Sequence, residues 1–224
     1  QERRLVLSRD PFGIKPLYYA LIDNGVAFAS EAQALLAAGF GARELRDQPV
    51  GELLQLQFTT GAHTPFEGIE RVLPGETIVI AGGRIVDRRR RAALPSGSPQ
   101  RLSETAALEA LEIALTDSVD VHQRADVPYA MFLSGGVDSS AILALMARLN
   151  DTPVRAYTAG FPGTDAADER AHARAVAQSF GAEHVEVTFE AADFWSLLPA
   201  IAAAMDEPVA DYAILPTWKL AKVA

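Results

Sequence analysis

The stretch from Ser134 to Ser140, Ser-Gly-Gly-Val-Asp-Ser-Ser, combines the residue types that bind phosphate. Gly135 and Gly136 carry no Cβ atom, so successive backbone N–H groups can approach an anion closely, and the serines add short hydroxyl donors. Asp138 is the exception, because a carboxylate repels phosphate unless a cation lies between them. Mg²⁺ binds carboxylate and phosphate oxygens together. The stretch therefore predicts a phosphate site in which Asp138 is a magnesium ligand.

The flanking segments position this stretch between a strand and a helix. The apolar run Tyr129–Leu133 precedes it, and the apolar-striped segment Ala141–Leu149 follows it. The helix would add its free N–H groups and the positive end of its dipole. The stretch has no lysine, which excludes a Walker loop, and its adjacent glycines do not fit a G-x-G-x-x-G dinucleotide motif. A serine-glycine turn that only connects a strand to a helix is the structural alternative.

The pattern S-G-G-x-D-S resembles the pyrophosphate loop of the N-type ATP pyrophosphatase families, which split ATP into AMP and pyrophosphate. The resemblance implies that ATP and Mg²⁺ bind here, and that Asp138 takes part in catalysis. The residues expected to bind ATP or its pyrophosphate from the loop are Ser134, Gly135, Gly136, Asp138, Ser139 and Ser140.

Composition restricts the classes of function. The chain has 224 residues, 49% of them apolar, no cysteine and a net charge of −9, so disulfides and thiolate metal sites are excluded. Residues 1–92 have a net charge of +1 and residues 93–224 a net charge of −10, which favours two units and argues against nucleic-acid binding. We interpret Arg88–Arg91 as a solvated strand end. The four histidines, at positions 63, 122, 172 and 184, lack ligand spacing and are interpreted as structural. We expect no membrane association and a cytoplasmic location.

The first unit, residues 1–92, is rich in predicted strands. A strand over Arg3–Ser8 ends in the turn Asp10–Gly13, and Leu17–Ile22 pairs with Val26–Ser30 through Asp23-Asn24-Gly25. A short helix from Glu31 to Ala38 ends at Gly39, and a second hairpin joins residues 77–81 to 84–86 through Gly82-Gly83. The pattern predicts an α+β unit.

Several of its segments resemble the later part of the glutamine-hydrolysing domain of the asparagine synthetase family. They are residues 9–19 (RDPFGIKPLYY), 28–31 (FASE), 64–69 (TPFEGI) and 73–76 (LPGE). The resemblance implies an Ntn-hydrolase-type fold in which Asp10 binds the α-ammonium group of glutamine. Turn chemistry is the other explanation for Asp10, because Asp before Pro commonly opens a turn.

The family hydrolyses glutamine with an N-terminal cysteine whose α-amine is the base, and this chain has no cysteine. The chain also lacks an initiator methionine and begins inside a predicted strand. We expect an N-terminally truncated piece that does not hydrolyse glutamine.

Residues 93–101, with the proline-punctuated run Leu94–Gln100, are the predicted linker to a second unit, residues 102–224. Ser103 caps a helix whose apolar stripe is Leu108, Leu111, Leu115 and Val119. After the loop helix come a strand over residues 154–161, a helix over 168–180 closed by Gly181, and a strand over 183–189. Alternating strands and helices predict a doubly wound parallel α/β sheet, Rossmann-like, with its ligand at the carboxyl ends of the strands.

This second unit resembles the synthetase domain of the same family. By motif position, Leu133 and Ala159 match residues at the adenosine end of ATP, although buried strand packing would also explain both. Asp206, Glu207 and Asp211 resemble an acidic segment near the acceptor or metal side, with simple solvation as the alternative. The chain stops within a helical pattern, before the family's S-G-E-G-x-D-E loop. We therefore expect a fragment truncated on both sides.

The resemblance implies an amide-forming ligase that uses MgATP to adenylate the β-carboxylate of aspartate, after which ammonia from glutamine attacks the β-aspartyl-AMP. Two alternatives stay open: a related amidotransferase acting on another carboxylate, and a non-catalytic nucleotide-binding fragment. The expected partners are small molecules, and a homo-oligomer is compatible with the sequence. We expect the fragment alone to be inactive.

Overall fold

A computed structural model of the protein describes residues 4–23, 25–164 and 168–224. The chain divides into two compact units. Unit 1 comprises Gln1–Ser98 and Ala202–Asp211, and unit 2 comprises Pro99–Ile201 and Tyr212–Ala224. A segment from the second half of the sequence therefore belongs to the first unit, which the order of motifs along the chain does not predict.

Unit 1 is built from short strands in antiparallel sheets with two helices. Its elements are β1 (Arg4–Ser8), β2 (Tyr18–Ile22), β3 (Gly25–Ala29), α1 (Ala32–Ala37), β4 (Ala42–Leu45), α2 (Asp47–Leu56), β5 (Phe66–Glu67), β6 (Glu70–Arg71), β7 (Glu76–Ala81) and β8 (Arg84–Arg90). The sheet orders are β1-β7-β8, β3-β2-β6 and β4-β5. The predicted strand β1, both predicted hairpins and helix α1 are confirmed. Arg3 and Asn24, which belong to the predicted first strand and first hairpin turn, lie outside the described residues.

Strand β2 supplies side chains to two separate cores in unit 1. Tyr18 packs with the apolar side chains of α1 and with Phe66 and Ile69. Its neighbour Tyr19 packs with Val72 and the strand residues of β1 and β7. Adjacent strand residues point to opposite faces of a sheet, so one strand holds both clusters together.

Arg88 lies at the exposed strand end, with its side chain 43% exposed, but it also forms hydrogen bonds with inner residues. Its Nη1 donates to Oε1 of buried Glu76 at 2.9 Å, and its Nη2 donates to the Tyr19 hydroxyl at 2.6 Å. A buried carboxylate needs a charged partner, and Arg88 provides it from the neighbouring strand. Arg89, Arg90 and Arg91 are exposed, as expected of a strand end.

Unit 2 is an α/β arrangement around a parallel sheet. Its elements are α3 (Glu104–His122), β9 (Met131–Phe132), α4 (Val137–Leu149), β10 (Arg155–Gly160), α5 (Arg170–Ser179), β11 (Glu183–Thr188), α6 (Ala191–Ala204), whose last residues belong to unit 1, and α7 (Ile214–Val223). The strand order is β11-β10-β9, and both pairings are parallel. The predicted parallel sheet is confirmed.

Helices cover both faces of this sheet. Ala156 of β10 packs in a core with Leu143 and Met146 of α4 and with Ala173 and Ala177 of α5. Tyr157, the next residue, packs with Leu220 of α7 on the opposite face. Helices therefore pack on both faces of the sheet. In sheets of this kind, ligands bind at the carboxyl ends of the strands.

Three predicted elements differ in detail. Strand β9 comprises only Met131–Phe132 of the predicted Tyr129–Leu133. Helix α3 is capped by Ser103 as predicted, but Leu108, Leu111 and Leu115 of its stripe are 59%, 54% and 38% exposed. Helix α5 begins at Arg170 instead of Asp168. The described helices are all too short or too polar to span a bilayer.

Candidate functional site

The predicted phosphate loop lies at the carboxyl end of β9 and leads into α4. Gly136 has φ −68° and ψ 161°, an extended conformation, and is the residue before the first turn of α4. Gly135 has φ +79°, in the left-handed region where a Cβ atom is strained. Gly135 and Gly136 therefore form the turn between β9 and α4. The predicted strand-turn-helix order is confirmed.

The hydroxyl groups of the loop are organised around the turn. Ser134 Oγ lies 3.0 Å from Ser139 Oγ and accepts a 3.3 Å hydrogen bond from the Gly136 N–H. Ser139 Oγ and Ser140 Oγ both donate to the Gly136 carbonyl, at 3.1 and 2.8 Å. These bonds engage the three hydroxyl groups within the loop and fix its shape at the start of the helix.

The first N–H groups of α4 are open to a ligand. The first helical hydrogen bond runs from the Ser140 N–H to the Gly136 carbonyl at 3.0 Å. The N–H groups of Val137, Asp138 and Ser139 precede it, and none of them donates to a residue that the structure describes. Unsatisfied N–H groups at the positive end of a helix form a binding position for an anion.

Asp138 lies exposed in the first turn of α4. Across residues 4–23, 25–164 and 168–224, no group of three or more His, Cys, Asp or Glu side chains is placed to hold a metal ion by itself. Mg²⁺ commonly takes one or two carboxylates and completes its shell with water and substrate phosphates. Asp138 therefore fits a magnesium ion that arrives with phosphate, and does not by itself form a resident metal site.

A buried polar network supports the loop from below. Thr158 Oγ1 donates to the Leu133 carbonyl at 2.6 Å, and its oxygen lies 2.8 Å from His184 Nε2. Because the hydroxyl proton is used by Leu133, His184 must be the donor through Nε2. Burial lowers the pKa of His184, against a smaller opposite effect of Glu186, which is consistent with a neutral ring. Sequence reasoning missed this network, although a threonine in the middle of an apolar strand is a signal for it.

Leu133 and Ala159, the residues predicted at the adenosine end, also lie at this edge of the sheet. Leu133 is 1% exposed and its N–H donates to the Tyr157 carbonyl at 2.8 Å. Tyr157 and Phe132 are the last registered pair between β10 and β9, so Ala159 lies level with Ser134 two residues further along. The structure thus brings Leu133, the loop and Ala159 together.

Asp10 lies in unit 1, in the turn after β1. Its Oδ1 accepts from the N–H groups of Phe12 and Ile14 at 3.1 and 3.0 Å, and its Oδ2 accepts from the Lys15 N–H at 2.9 Å. Backbone hydrogen bonds, the one from Lys15 first, hold the pKa of Asp10 below its usual value. The carboxylate is thereby fixed and ionised, and Oδ2 keeps acceptor capacity for a further donor such as an ammonium group.

The role of the acidic segment at the acceptor or metal side stays a prediction, and Asp206 and Glu207 have hydrogen-bond partners in unit 1. Asp206 and Glu207 belong to unit 1, as does the exposed Asp211. Asp206 Oδ1 accepts from the Gln33 N–H at 2.9 Å, and Glu207 Oε2 accepts from Thr59 Oγ1 at 3.0 Å and forms an ion pair with Arg71. Each carboxylate therefore anchors its segment to unit 1.

The Arg71–Glu207 ion pair is largely buried. The two side chains are 12% and 11% exposed, and a cavity of about 570 Å³ borders them, with Arg9 and Pro74 also in its wall. Asp206 Oδ2 and Glu207 Oε1 are buried without a hydrogen-bond partner among the described residues. Burial, and then the negative charges of Glu207 and Asp206, raise the pKa of Tyr18. No sequence pattern indicated this cluster, since its members are far apart along the chain.

Comparison with protein families matches both halves of the chain. Residues 110–224 match the asparagine synthase family, and residues 1–90 match the glutamine amidotransferase domain family. These matches agree with the two resemblances in the sequence, one to the synthetase domain and one to the glutamine-hydrolysing domain.

Comparison with individual proteins gives relatives over nearly the whole chain. A Mycobacterium tuberculosis (strain ATCC 25618 / H37Rv) protein named for glutamine-hydrolyzing asparagine synthetase is 34% identical over 99% of this chain and 35% of its own length. Asparagine synthetase [glutamine-hydrolyzing] 1 of Bacillus subtilis (strain 168) is 32% identical over 97% of this chain and 34% of its own length. Amidase chyE of Penicillium rubens is 30% identical over 80% of this chain and 28% of its own length. The chain spans about a third of the length of these relatives.

Proposed function

The chain belongs to the glutamine-hydrolysing asparagine synthetase family, and from this membership we propose that the whole protein forms asparagine from aspartate, ATP and glutamine. The observation that carries the proposal is the open phosphate loop of unit 2 in one chain with a glutamine amidotransferase unit. The N-type ATP pyrophosphatase and Ntn-hydrolase folds, the ATP and Mg²⁺ ligands and a cytoplasmic location belong to the same proposal.

The first step proposed is adenylation of aspartate. An oxygen of the β-carboxylate attacks the α-phosphorus of ATP, the bond from that phosphorus to the bridging oxygen breaks, and pyrophosphate leaves with the electron pair. Charge develops on the leaving pyrophosphate, and the open N–H groups of Val137, Asp138 and Ser139 stabilise it. Mg²⁺, when bound, would neutralise part of the phosphate charge. Asp138 would be its protein ligand.

The second step proposed is amide formation. Ammonia attacks the carbonyl carbon of β-aspartyl-AMP, AMP leaves, and the nitrogen loses a proton to give the neutral amide. Glutamine supplies the ammonia through the amidotransferase unit, where the ionised Asp10 would bind the α-ammonium group of glutamine by a charge-assisted hydrogen bond. A carboxylate is a poor electrophile, so adenylation must come first.

The test is pyrophosphate release by the full-length protein at saturating MgATP, with aspartate and with a panel of other carboxylates. We expect aspartate to stimulate release, and either glutamine or ammonium chloride to support formation of asparagine. Release stimulated by a different carboxylate, but not by aspartate, would assign another acceptor. Absence of release with every carboxylate would contradict the ligase proposal.

A further inference from the structure

The first turn of α5 packs directly against the phosphate loop. The turn is closed by a 2.9 Å hydrogen bond from the Ala173 N–H to the Glu169 carbonyl. A Cβ atom added to Gly135 would lie 3.1 Å from His172 Cδ2, 3.4 Å from the Ala173 nitrogen and 3.7 Å from the Glu169 oxygen. A Cβ atom at position 135 would therefore be in tight contact with this turn, so α5 forms a wall of the loop.

Arg170, the first residue of α5, lies across the end of β10. A Cβ atom added to Gly160 would lie 2.0 Å from Arg170 Nε and 2.5 Å from its Cζ. The guanidinium group therefore lies against the backbone of Gly160, at the carboxyl edge of the sheet. Gly160 ends β10, the strand that pairs with β9, and β9 leads into the loop. The first turn of α5 thus lies against Gly135 of the loop and also carries Arg170, which lies against Gly160.

The side chain of Arg170 is held from one side only. Its Nε lies 2.9 Å from Asp168 Oδ1, and its Nη2 pairs with Asp168 Oδ2. Hydrogen bonds from Arg170 lower the pKa of Asp168 to about 2, which keeps the carboxylate ionised as a partner. Nη1 donates to no residue that the structure describes, and the side chain is 22% exposed. The free edge of the fork therefore remains available to an acceptor.

A positively charged hydrogen-bond donor would complement the phosphate loop. The loop contains no lysine, and Asp138 adds a negative charge beside the place where phosphate would bind. A guanidinium group matches phosphate oxygens in planar geometry and stays charged at all physiological pH values. We propose that Arg170 is a further phosphate-binding residue of this site, with Nη1 as the donor, and that Asp168 is its positioning residue. The inference rests on the proposed function in that the bound anion is the phosphate chain of ATP.

The experiment compares arginines one helical turn apart in the full-length protein. Arg170→Gln removes the proposed phosphate donor, and Arg170→Lys keeps the charge without the fork. Arg174→Gln is the matched control, because Arg174 also lies on α5 but pairs with Glu186 and is 51% exposed. Binding of MgATP and of inorganic pyrophosphate is measured by calorimetry, and pyrophosphate release gives kcat and KM for ATP. Glutamine hydrolysis reports whether the rest of the protein is intact.

We expect Arg170→Gln to weaken pyrophosphate binding about 10- to 100-fold, the usual effect of losing a hydrogen bond to a charged group. Arg170→Lys should lie between the wild type and Arg170→Gln, and Arg174→Gln should stay within about threefold of the wild type. Asp168→Asn should weaken binding less than Arg170→Gln does, because it only releases the guanidinium group. Glutamine hydrolysis should be the same in all four variants.

The outcomes separate this inference from the proposed function. If the wild type binds pyrophosphate but releases none with aspartate, the reaction is wrong and the binding series still decides the role of Arg170. Wild-type binding by Arg170→Gln would overturn the role of Arg170 while leaving the reaction intact. If the wild type binds neither ATP nor pyrophosphate, both proposals fail.

Discussion

Two turns in this molecule use the same backbone device for opposite purposes. In unit 1, three N–H groups converge on the carboxylate of Asp10, so the chain supplies the anion itself. In unit 2, the N–H groups of Val137, Asp138 and Ser139 converge at the start of α4 and receive no acceptor from the described chain. The first arrangement builds a rigid, ionised carboxylate that can receive a cation. The second leaves a position that an external anion can fill.

The comparison predicts its largest effect at Asp138. Asp138→Asn in the full-length protein should lower pyrophosphate release by roughly a thousandfold or more, since loss of a metal ligand typically removes several kcal/mol of charge stabilisation in the transition state. Glutamine hydrolysis in the same preparation should be unchanged, because Asp10 lies in the other unit. Near-normal ATP cleavage at saturating Mg²⁺ would make Asp138 a turn residue only.

Gly135 tests whether the open turn must keep its shape. Gly135→Ala places a Cβ at φ +79° and against His172, so we expect a loss of about 1–3 kcal/mol in stability and about 100-fold in pyrophosphate release from the displaced loop. Gly163→Ala is the control, because Gly163 has φ +73° and no atom of the described residues lies within 4 Å of an added Cβ. Equal loss of release in both variants would assign the effect to backbone strain and not to the wall formed by α5.

Asp10 tests the filled turn. Asp10→Asn should raise the KM for glutamine about tenfold or more, while synthesis supported by ammonium chloride is unchanged. The substitution should also change the acid response of unit 1. The folded pKa of Asp10 is depressed, so its contribution to stability is present above the unfolded pKa of about 4 and is lost as the pH falls below it.

Thermal unfolding from pH 7 to pH 2 measures this second effect. The Tm of the wild type should fall below about pH 4. The Tm of Asp10→Asn should be lower at pH 7 and should fall less on acidification. Asp23→Asn, in the turn after β2, serves as a comparison carboxylate. If Asp10→Asn and the wild type show the same acid response, the three N–H groups do not hold the anion in solution.

The smallest effect concerns the support beneath the open turn. His184 has a folded pKa below its usual value, so the stability that it contributes is present above about pH 6.5 and is lost as the pH falls. Between about pH 6.5 and pH 5, the Tm of the wild type should fall by a few degrees more than that of His184→Gln. His122→Gln is the control, because His122 is exposed and bonds the Ser118 carbonyl of its own helix. An equal fall in the wild type and His184→Gln would contradict a buried, neutral His184.

Short sequence patterns were sufficient to predict the turns between neighbouring elements. Adjacent glycines between an apolar run and a helical stripe were enough to predict the loop, and Asp-Asn-Gly between strands was enough to predict the hairpin of β2 and β3. The contacts that join distant segments were not predictable in this way. Arg170 reaches Gly160, and Glu207 reaches Arg71, through the fold and not through spacing along the chain.

The domain limits and the site residues named from the family resemblance stay predictions, and the geometry indicates which of these residues lie close together. Leu133, the loop and Ala159 share one edge of a sheet, which a strand-by-strand interpretation could anticipate. The acceptor or metal role of Asp206 and Glu207 stays a prediction, and both residues belong to unit 1. A motif match predicts the type of residue at a position. The residues that contact it depend on the tertiary fold, which brings distant segments of the chain together.

The return of residues 202–211 to unit 1 also has a consequence for heredity. The chain passes between the units at residues 98–99, 201–202 and 211–212, so no single cut in the gene separates one unit from the other. A recombination event that exchanged residues 1–98 alone would set the incoming residue at position 71 against the Glu207 of this chain, and a mismatch there would leave a buried charge unpaired, which costs several kcal/mol. The two units are therefore expected to be inherited together, and substitutions at Arg71 and Glu207 to be tolerated only as a pair.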